Sequence, residues 1–176
     1  MRRHDDLRVI KDMNDWNLVP LGDSAVLIVL GDRMDEPTHR KVVRLARYLE
    51  RRPLPGMTDV VPAYASVAVF FDDGGPEPVR EDAPGDPLAA IARFLQTAMA
   101  EMEEEDPSER KWVEIPVCYG GEFGPDLEEV AAHCGLSADE VIQIHSSGRY
   151  RVYMLGFAPG FPYLGGMDKR IAAPRR

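Results

Sequence analysis

One histidine and a cluster of aromatic, glycine and proline residues are where this sequence could do chemistry. His145 lies in the run HSSGRYRVY, and the titration range of an imidazole suits general acid–base work. A lone histidine also serves as a capping or hydrogen-bonding residue. Ser146 and Ser147 follow it; their hydroxyls could donate to a carboxylate or phosphate, and serines after a helix also serve as turn residues. Residues 149–166, RYRVYMLGFAPGFPYLGG, hold five of the fourteen aromatics together with Pro159, Pro162 and four glycines. Glycine lets a backbone approach a ligand and proline stiffens it. GFAPGFPYLGG, with Gly160 in it, can therefore present Phe157, Phe161 and Tyr163 as a rigid aromatic wall, with Tyr150 and Tyr153 on the strand before it. A buried loop packed under a barrel uses the same residue types, because aromatics serve cores and pockets alike. Arg175 and Arg176 could bind a carboxylate or phosphate through their planar guanidinium forks, or stand solvated at the end of the sequence.

Other familiar chemistries find no support. His4, His39 and His133 read as surface residues, since none shares a metal-ligand spacing with another His, Cys or carboxylate cluster. H-E-x-x-H does not occur, and Gly120-Gly121-Glu122-Phe123-Gly124 lacks the lysine of a phosphate-binding loop and places a carboxylate where phosphate would be repelled. The nucleophile elbow G-x-S-x-G is absent, which argues against a self-contained serine hydrolase.

The elements that must position these residues follow from periodicity and breakers. Residues 1–13 alternate charges without an apolar face and read as a mobile leader. WNLVPLG and SAVLIVL read as strands separated by Gly22-Asp23. Asp35-Glu36-Pro37 opens a helix carrying Val42, Leu45, Ala46 and Leu49 and ending near Pro53. TDVVPA and SVAVFFD read as two further strands, and Asp86-Pro87 opens a second helix with Leu88, Ile91, Leu95, Met99 and Met102 on one face. This order predicts an α+β domain over 14–107, with two helices covering one side of an antiparallel sheet. The acidic run Glu103-Glu104-Glu105-Asp106 reads as a solvated linker rather than a metal site, because like charges repel. A second domain, 108–176, begins with KWVEIPVCYGG as a strand near a sheet edge, limited by Pro116. A short helix with Leu127, Val130, Ala131 and Cys134 inward ends at Gly135. Ser137 and Glu140 have capping-box spacing for a helix over about 138–145. Tyr150, Val152 and Met154 alternate as in a strand, and the remainder is expected to be a shaped loop.

Composition bounds the partners. With 176 residues and a net charge of −9, the average field repels phosphate backbones and anionic membrane surfaces, so no nucleic acid or membrane partner is expected. The cysteines Cys118 and Cys134 form no C-x-x-C pair and no secretory signal pattern opens the sequence, which points to the reducing cytosol. No apolar stretch approaches the roughly 20 residues a membrane helix needs.

The run from Ile115 to Arg176, IPVCYGGEFGPDLEEVAAHCGLSADEVIQIHSSGRYRVYMLGFAPGFPYLGGMDKRIAAPRR, resembles the allophanate hydrolase subunit 1 family, which includes the B subunit of 5-oxoprolinase and the KipI histidine kinase inhibitor. GDSAVLIVLGD and PLPGMTDVVPAYASVAVFFD resemble the N-terminal domain of the same family. The resemblance implies that the small α+β domain precedes a cyclophilin-like β-barrel. It also implies one component of an ATP-dependent amide or lactam hydrolase, opening 5-oxoproline to glutamate or acting on allophanate, inactive alone. Its partners would be a homologous C subunit, similar to allophanate hydrolase subunit 2, and a separate A subunit. The KipI-like relatives imply the alternative of a protein that binds and inhibits a sensor histidine kinase without turnover. In this context His145 is the first site candidate, and Ser146, Tyr150, Tyr153, Phe157, Gly160, Phe161, Tyr163, Arg175 and Arg176 are expected to line the substrate site. Family members continue past APRR with further strands, including a glycine-rich segment with a Gln-Thr-Gly core. The barrel within 108–176 is therefore expected to be incomplete, with an open edge near Val152 and Met154 that pairs with another copy or becomes disordered.

Overall fold

The structure is a computed structural model that describes residues 10–11, 16–72, 87–102, 111–156 and 158–174. The charged leader before Ile10, the acidic run 103–106, His4, Phe157, Arg175 and Arg176 lie outside the described residues. The chain divides into two compact units, Met1–Glu109 and Arg110–Arg176.

The first unit is built on β1 (Ile10–Lys11), β2 (Asn17–Pro20), β3 (Ala25–Val29), β4 (Met57–Pro62) and β5 (Ser66–Phe71). They form an antiparallel sheet in the order β1-β2-β3-β5-β4. Ile10 and Lys11, assigned by sequence to the leader, pair with Leu18 and Asn17. Strand register follows burial. Ile28 sits opposite Leu18 on one side and Val67 on the other, and Val26 sits opposite Val69. These alternate residues enter one core, as the two-residue period of a half-covered sheet requires.

Two helices cover that face. α1 (Glu36–Arg51) starts at Asp35, whose carboxylate accepts from the Thr38 backbone N–H at 2.9 Å, with a proline in its first turn. Val42, Leu45, Ala46 and Leu49 are buried at i, i+3, i+4 and i+7. α2 (Pro87–Glu101) contributes Ile91, Leu95 and Ala98 to the same core. The helix ends are tied together: the Arg44 guanidinium donates to the Met102 carbonyl at 2.5 Å, and Tyr48 and Arg52 both donate to Glu101. His39, read from sequence as a surface residue, is buried at 4% exposure. It precedes Val42 by three positions and so turns toward the same side of α1.

The second unit has a smaller core. A 3₁₀ turn (Gly121–Phe123) leads to α3 (Leu127–Cys134) and α4 (Ala138–Ser147), which are followed by β6 (Arg151–Leu155), β7 (Pro162–Gly165) and a 3₁₀ turn at Lys169–Ile171. Ala131, Val141 and Ile171 are buried, with Leu127, Val130, Leu136 and Ile144 packed on them. Gly135 ends α3 in the left-handed conformation, and Ser137 and Glu140 form the expected reciprocal capping box.

Two expectations are corrected here. Residues 111–119 form no strand, although their β-rich pattern predicts one. Trp112, Val113, Ile115 and Val117 are all exposed, between 51% and 72%. A ladder needs a partner strand as well as propensity; among the described residues none pairs with this segment, and Pro116 lacks an N–H. Conversely, GFPYLGG is not all loop. Its residues 162–165 pair with β6, placing Leu155 opposite Pro162, Met154 opposite Tyr163, Val152 opposite Leu164 and Arg151 opposite Gly165. Pro162 opens the strand, where its missing N–H costs least. The molecule is thus α+β in both units, and the described residues of the second unit contribute one two-stranded hairpin to the expected barrel.

Candidate functional site

The site is assembled around the last turn of α4. His145 is half-buried there, and its imidazole Nδ1 lies 2.6 Å from the Tyr119 hydroxyl. The Tyr119 ring meets the imidazole edge-on, with centroids 5.7 Å apart at 80°. On another side the Tyr150 ring lies 5.2 Å away, and its hydroxyl donates to the His145 backbone carbonyl at 2.9 Å. The same carbonyl accepts from the Gly148 N–H at 3.2 Å, so the Tyr150 bond is its second. Burial, and then repulsion from the charges that Tyr119 and Asp168 can carry, push the Tyr150 hydroxyl above its ordinary range, so it stays a donor.

Local sequence explains the placement. After α4 the chain turns at Gly148, where an added Cβ would lie 2.7 Å from the Tyr150 oxygen, closer than non-bonded atoms approach. Only glycine lets the Tyr150 ring fold back on the helix end. Tyr119 is presented by the following turn: Gly120 and Gly121 take φ values of 76° and 57°, and the Gly124 N–H closes onto the Gly120 carbonyl at 3.0 Å. Those backbone angles favour glycine.

Of the residues expected from sequence, the structure brings His145 and Tyr150 together, and separately Phe161 and Tyr163, whose rings stack edge-on at 5.6 Å. Phe161 is 49% exposed, as a surface ring rather than a core residue. Gly160 takes a left-handed conformation, φ 74°, in the turn before it. Tyr153 packs across the hairpin over Gly165, where an added Cβ would lie 2.4 Å from the ring. Its role there is to cover a glycine in a strand. Ser146 and Ser147 donate back to the carbonyls of Gln143 and Ile144 at 3.4 and 3.3 Å, long contacts of the kind hydroxyls make at helix ends.

Ser147 also faces a cleft of about 530 Å³ bounded by Gln143, Ile144, Gly166, Asp168 and Arg170. Asp168 accepts from the Arg170 side chain at 2.8 and 3.2 Å and from its backbone N–H at 2.9 Å. The side-chain bond, and then the backbone bond, hold the Asp168 carboxyl down at about 2 against an ordinary 3.8. A carboxylate depressed in the folded state stabilises it fully above its unfolded value, and that contribution disappears as pH falls through the folded one. The Asp168 carboxyl carbon should accordingly titrate near 2 by NMR, and Arg170→Ala should return it toward 3.8; an unchanged midpoint would refute the pairing.

Sequence reasoning missed Tyr119, Asp168 and Arg170. An aromatic directly before Gly-Gly was a usable signal for the first, obscured by the strand pattern that precedes it. The spacing of Asp168 and Arg170 suits a turn but carries no mark of a site. Among the described residues no group of three or more His, Cys, Asp or Glu side chains could hold a metal ion, and no helix is long and apolar enough to cross a membrane.

Comparison with known proteins adds to this geometry. Residues 16–176 match the family described as carboxyltransferase domain, subdomain C and D. The B subunit of 5-oxoprolinase from Bacillus subtilis (strain 168) is 48% identical over 161 residues, covering 92% of this chain and 67% of that protein. The B subunit of 5-oxoprolinase from Escherichia coli O157:H7 is 39% identical over 156 residues, 89% of this chain and 66% of that protein. The crystal structure of TTHA0988 superposes with a TM-score of 0.65 at 36% identity, covering 86% of this chain and 27% of that one. The chain thus spans about two thirds of the length of the curated relatives it matches.

Proposed function

Because this chain belongs to the carboxyltransferase domain, subdomain C and D, family, we propose that it acts as the B-type subunit of a cytosolic, ATP-dependent 5-oxoprolinase. In this reading it opens the lactam of 5-oxoproline to glutamate together with a homologous C subunit and a separate A subunit. The observation that carries the reading is the identity to two 5-oxoprolinase B subunits over some nine tenths of the chain, through the segment holding Tyr119, His145 and Tyr150. His145 is the residue of this set suited to handling a proton at a lactam, and Phe161 with Tyr163 offers an apolar face to a small ring.

No lysine-bearing phosphate loop stands among the described residues of this chain. The Gly120–Gly124 turn carries Glu122 in place of a lysine, and Arg170, the cation at the cleft, is engaged by Asp168. In this reading nucleotide binding falls to the partner proteins, and no step on this chain runs through it.

Affinity capture of the full chain from its own cells tests the reading. Recovery of a C-subunit homologue supports it. Recovery of a sensor histidine kinase in its place would overturn it in favour of an inhibitor that docks on a protein. A narrower expectation concerns Phe161. Since its ring is half exposed, Phe161→Ala should change stability by only about 0.5 kcal/mol, while lowering turnover in the assembled enzyme. A loss of about 3–5 kcal/mol in a melt would mean that the ring is core instead.

A further inference from the structure

If His145 meets the substrate, which of its ring nitrogens carries the proton decides whether it donates or accepts a hydrogen bond there. We infer that Tyr119 is a positioning residue: its hydroxyl donates to His145 Nδ1 and holds the neutral imidazole in the tautomer that carries its proton on Nε2. His145 then meets the substrate as a donor to an amide carbonyl oxygen. This rests on the functional reading above and adds the direction of the hydrogen bond.

Three observations set that direction. The heavy atoms are 2.6 Å apart, within the range of O–H donors and shorter than the 2.7–3.2 Å or so typical of N–H to oxygen. A phenol carries one proton, and the only hydrogen bond of the Tyr119 hydroxyl among the described residues is this one. If Nδ1 donated instead, the phenolic proton would have no protein acceptor among the described residues. Finally, Tyr150 uses its own hydroxyl on the His145 carbonyl rather than on the ring, and no hydrogen bond engages Nε2 among the described residues. One nitrogen is held by the protein and the other is left for a ligand. An imidazole whose tautomer is fixed through its second nitrogen is a recurrent device for orienting a reacting histidine.

The rigidity of the donor supports the same assignment. Tyr119 is followed by two glycines with positive φ and by the closed turn to Gly124. The imidazole packs against the Tyr150 ring, whose hydroxyl is bonded to the backbone of the same residue. Neither partner depends on a long, mobile side chain.

Long-range proton–nitrogen NMR of the ¹⁵N-labelled full chain reads the tautomer directly, with His145 assigned from the signal lost in His145→Gln. The expected result for the neutral imidazole is a protonated Nε2 and an Nδ1 at the position of a hydrogen-bonded acceptor. Tyr119→Phe keeps the ring contact and should move Nδ1 toward the position of a free ring nitrogen without changing the melting temperature. In the assembled enzyme it should lower kcat by about tenfold with little change in KM, the effect of about one hydrogen bond in the transition state. A proton on Nδ1 in the unmodified chain would overturn the assignment, whatever the variant does. So would an Nδ1 signal indifferent to Tyr119→Phe. If the tautomer is as expected but His145→Gln leaves turnover untouched, the functional reading fails and the tautomer assignment stands.

Discussion

Replacing His145 with glutamine is expected to lower lactam turnover by the assembled enzyme by about 10²–10⁴, the usual contribution of a positioned acid or base. The substitution is mild for the fold. His145 lies in the last turn of α4 and is only half-buried, while the core contact from that turn is made by Ile144. The Tyr150 bond goes to the backbone carbonyl of residue 145, so it persists with any side chain there. Glutamine can still donate a hydrogen bond, but it has no ring to pack against the two tyrosine rings and no second ring nitrogen to accept from Tyr119. Loss of activity with an unchanged melt would place the residue in the chemistry. Activity within a few-fold of the unmodified enzyme would remove it.

The largest effect on stability is expected from Leu45→Ala. Leu45 is fully buried on α1 in the core shared with α2 and the sheet. Alanine keeps the helix propensity, so the change isolates the packing. Removing a large buried side chain from such a site costs about 2–5 kcal/mol, depending on how far the neighbours relax. In a unit of this size that corresponds to a melting temperature lower by about 10 °C or more. The two tryptophans make the measurement selective. Trp16 is 2% exposed in the first unit's core and Trp112 is 63% exposed in the second unit, so the emission shift on urea unfolding reports chiefly Trp16. A loss below about 1 kcal/mol would contradict the placement of Leu45.

Much of the first unit was legible in the sequence because each signal was local and consistent with its neighbours. Asp35 and a proline opened α1, apolar residues at helical spacing marked its buried face, and β-rich runs between glycine and proline turns became β2 to β5. The second unit was legible only where the information was equally local, as in the Ser137–Glu140 capping box. It failed where strand formation depends on a partner distant in sequence. Residues 111–119 have the pattern and no ladder among the described residues; residues 162–165 have two glycines and a proline nearby and pair with β6. The site divided in the same way. His145 and Tyr150 stood out by residue type and proximity in sequence. Tyr119, 26 positions before His145, could not be joined to it by any local rule.

The B-type assignment is tested most directly by measuring glutamate formed from 5-oxoproline in the presence of ATP, using this chain with its C-subunit and A-subunit homologues. ATP-dependent turnover is predicted for the full mixture, none for this chain by itself, and a loss to background when this chain alone is omitted. Turnover that is the same with and without the chain would contradict the account.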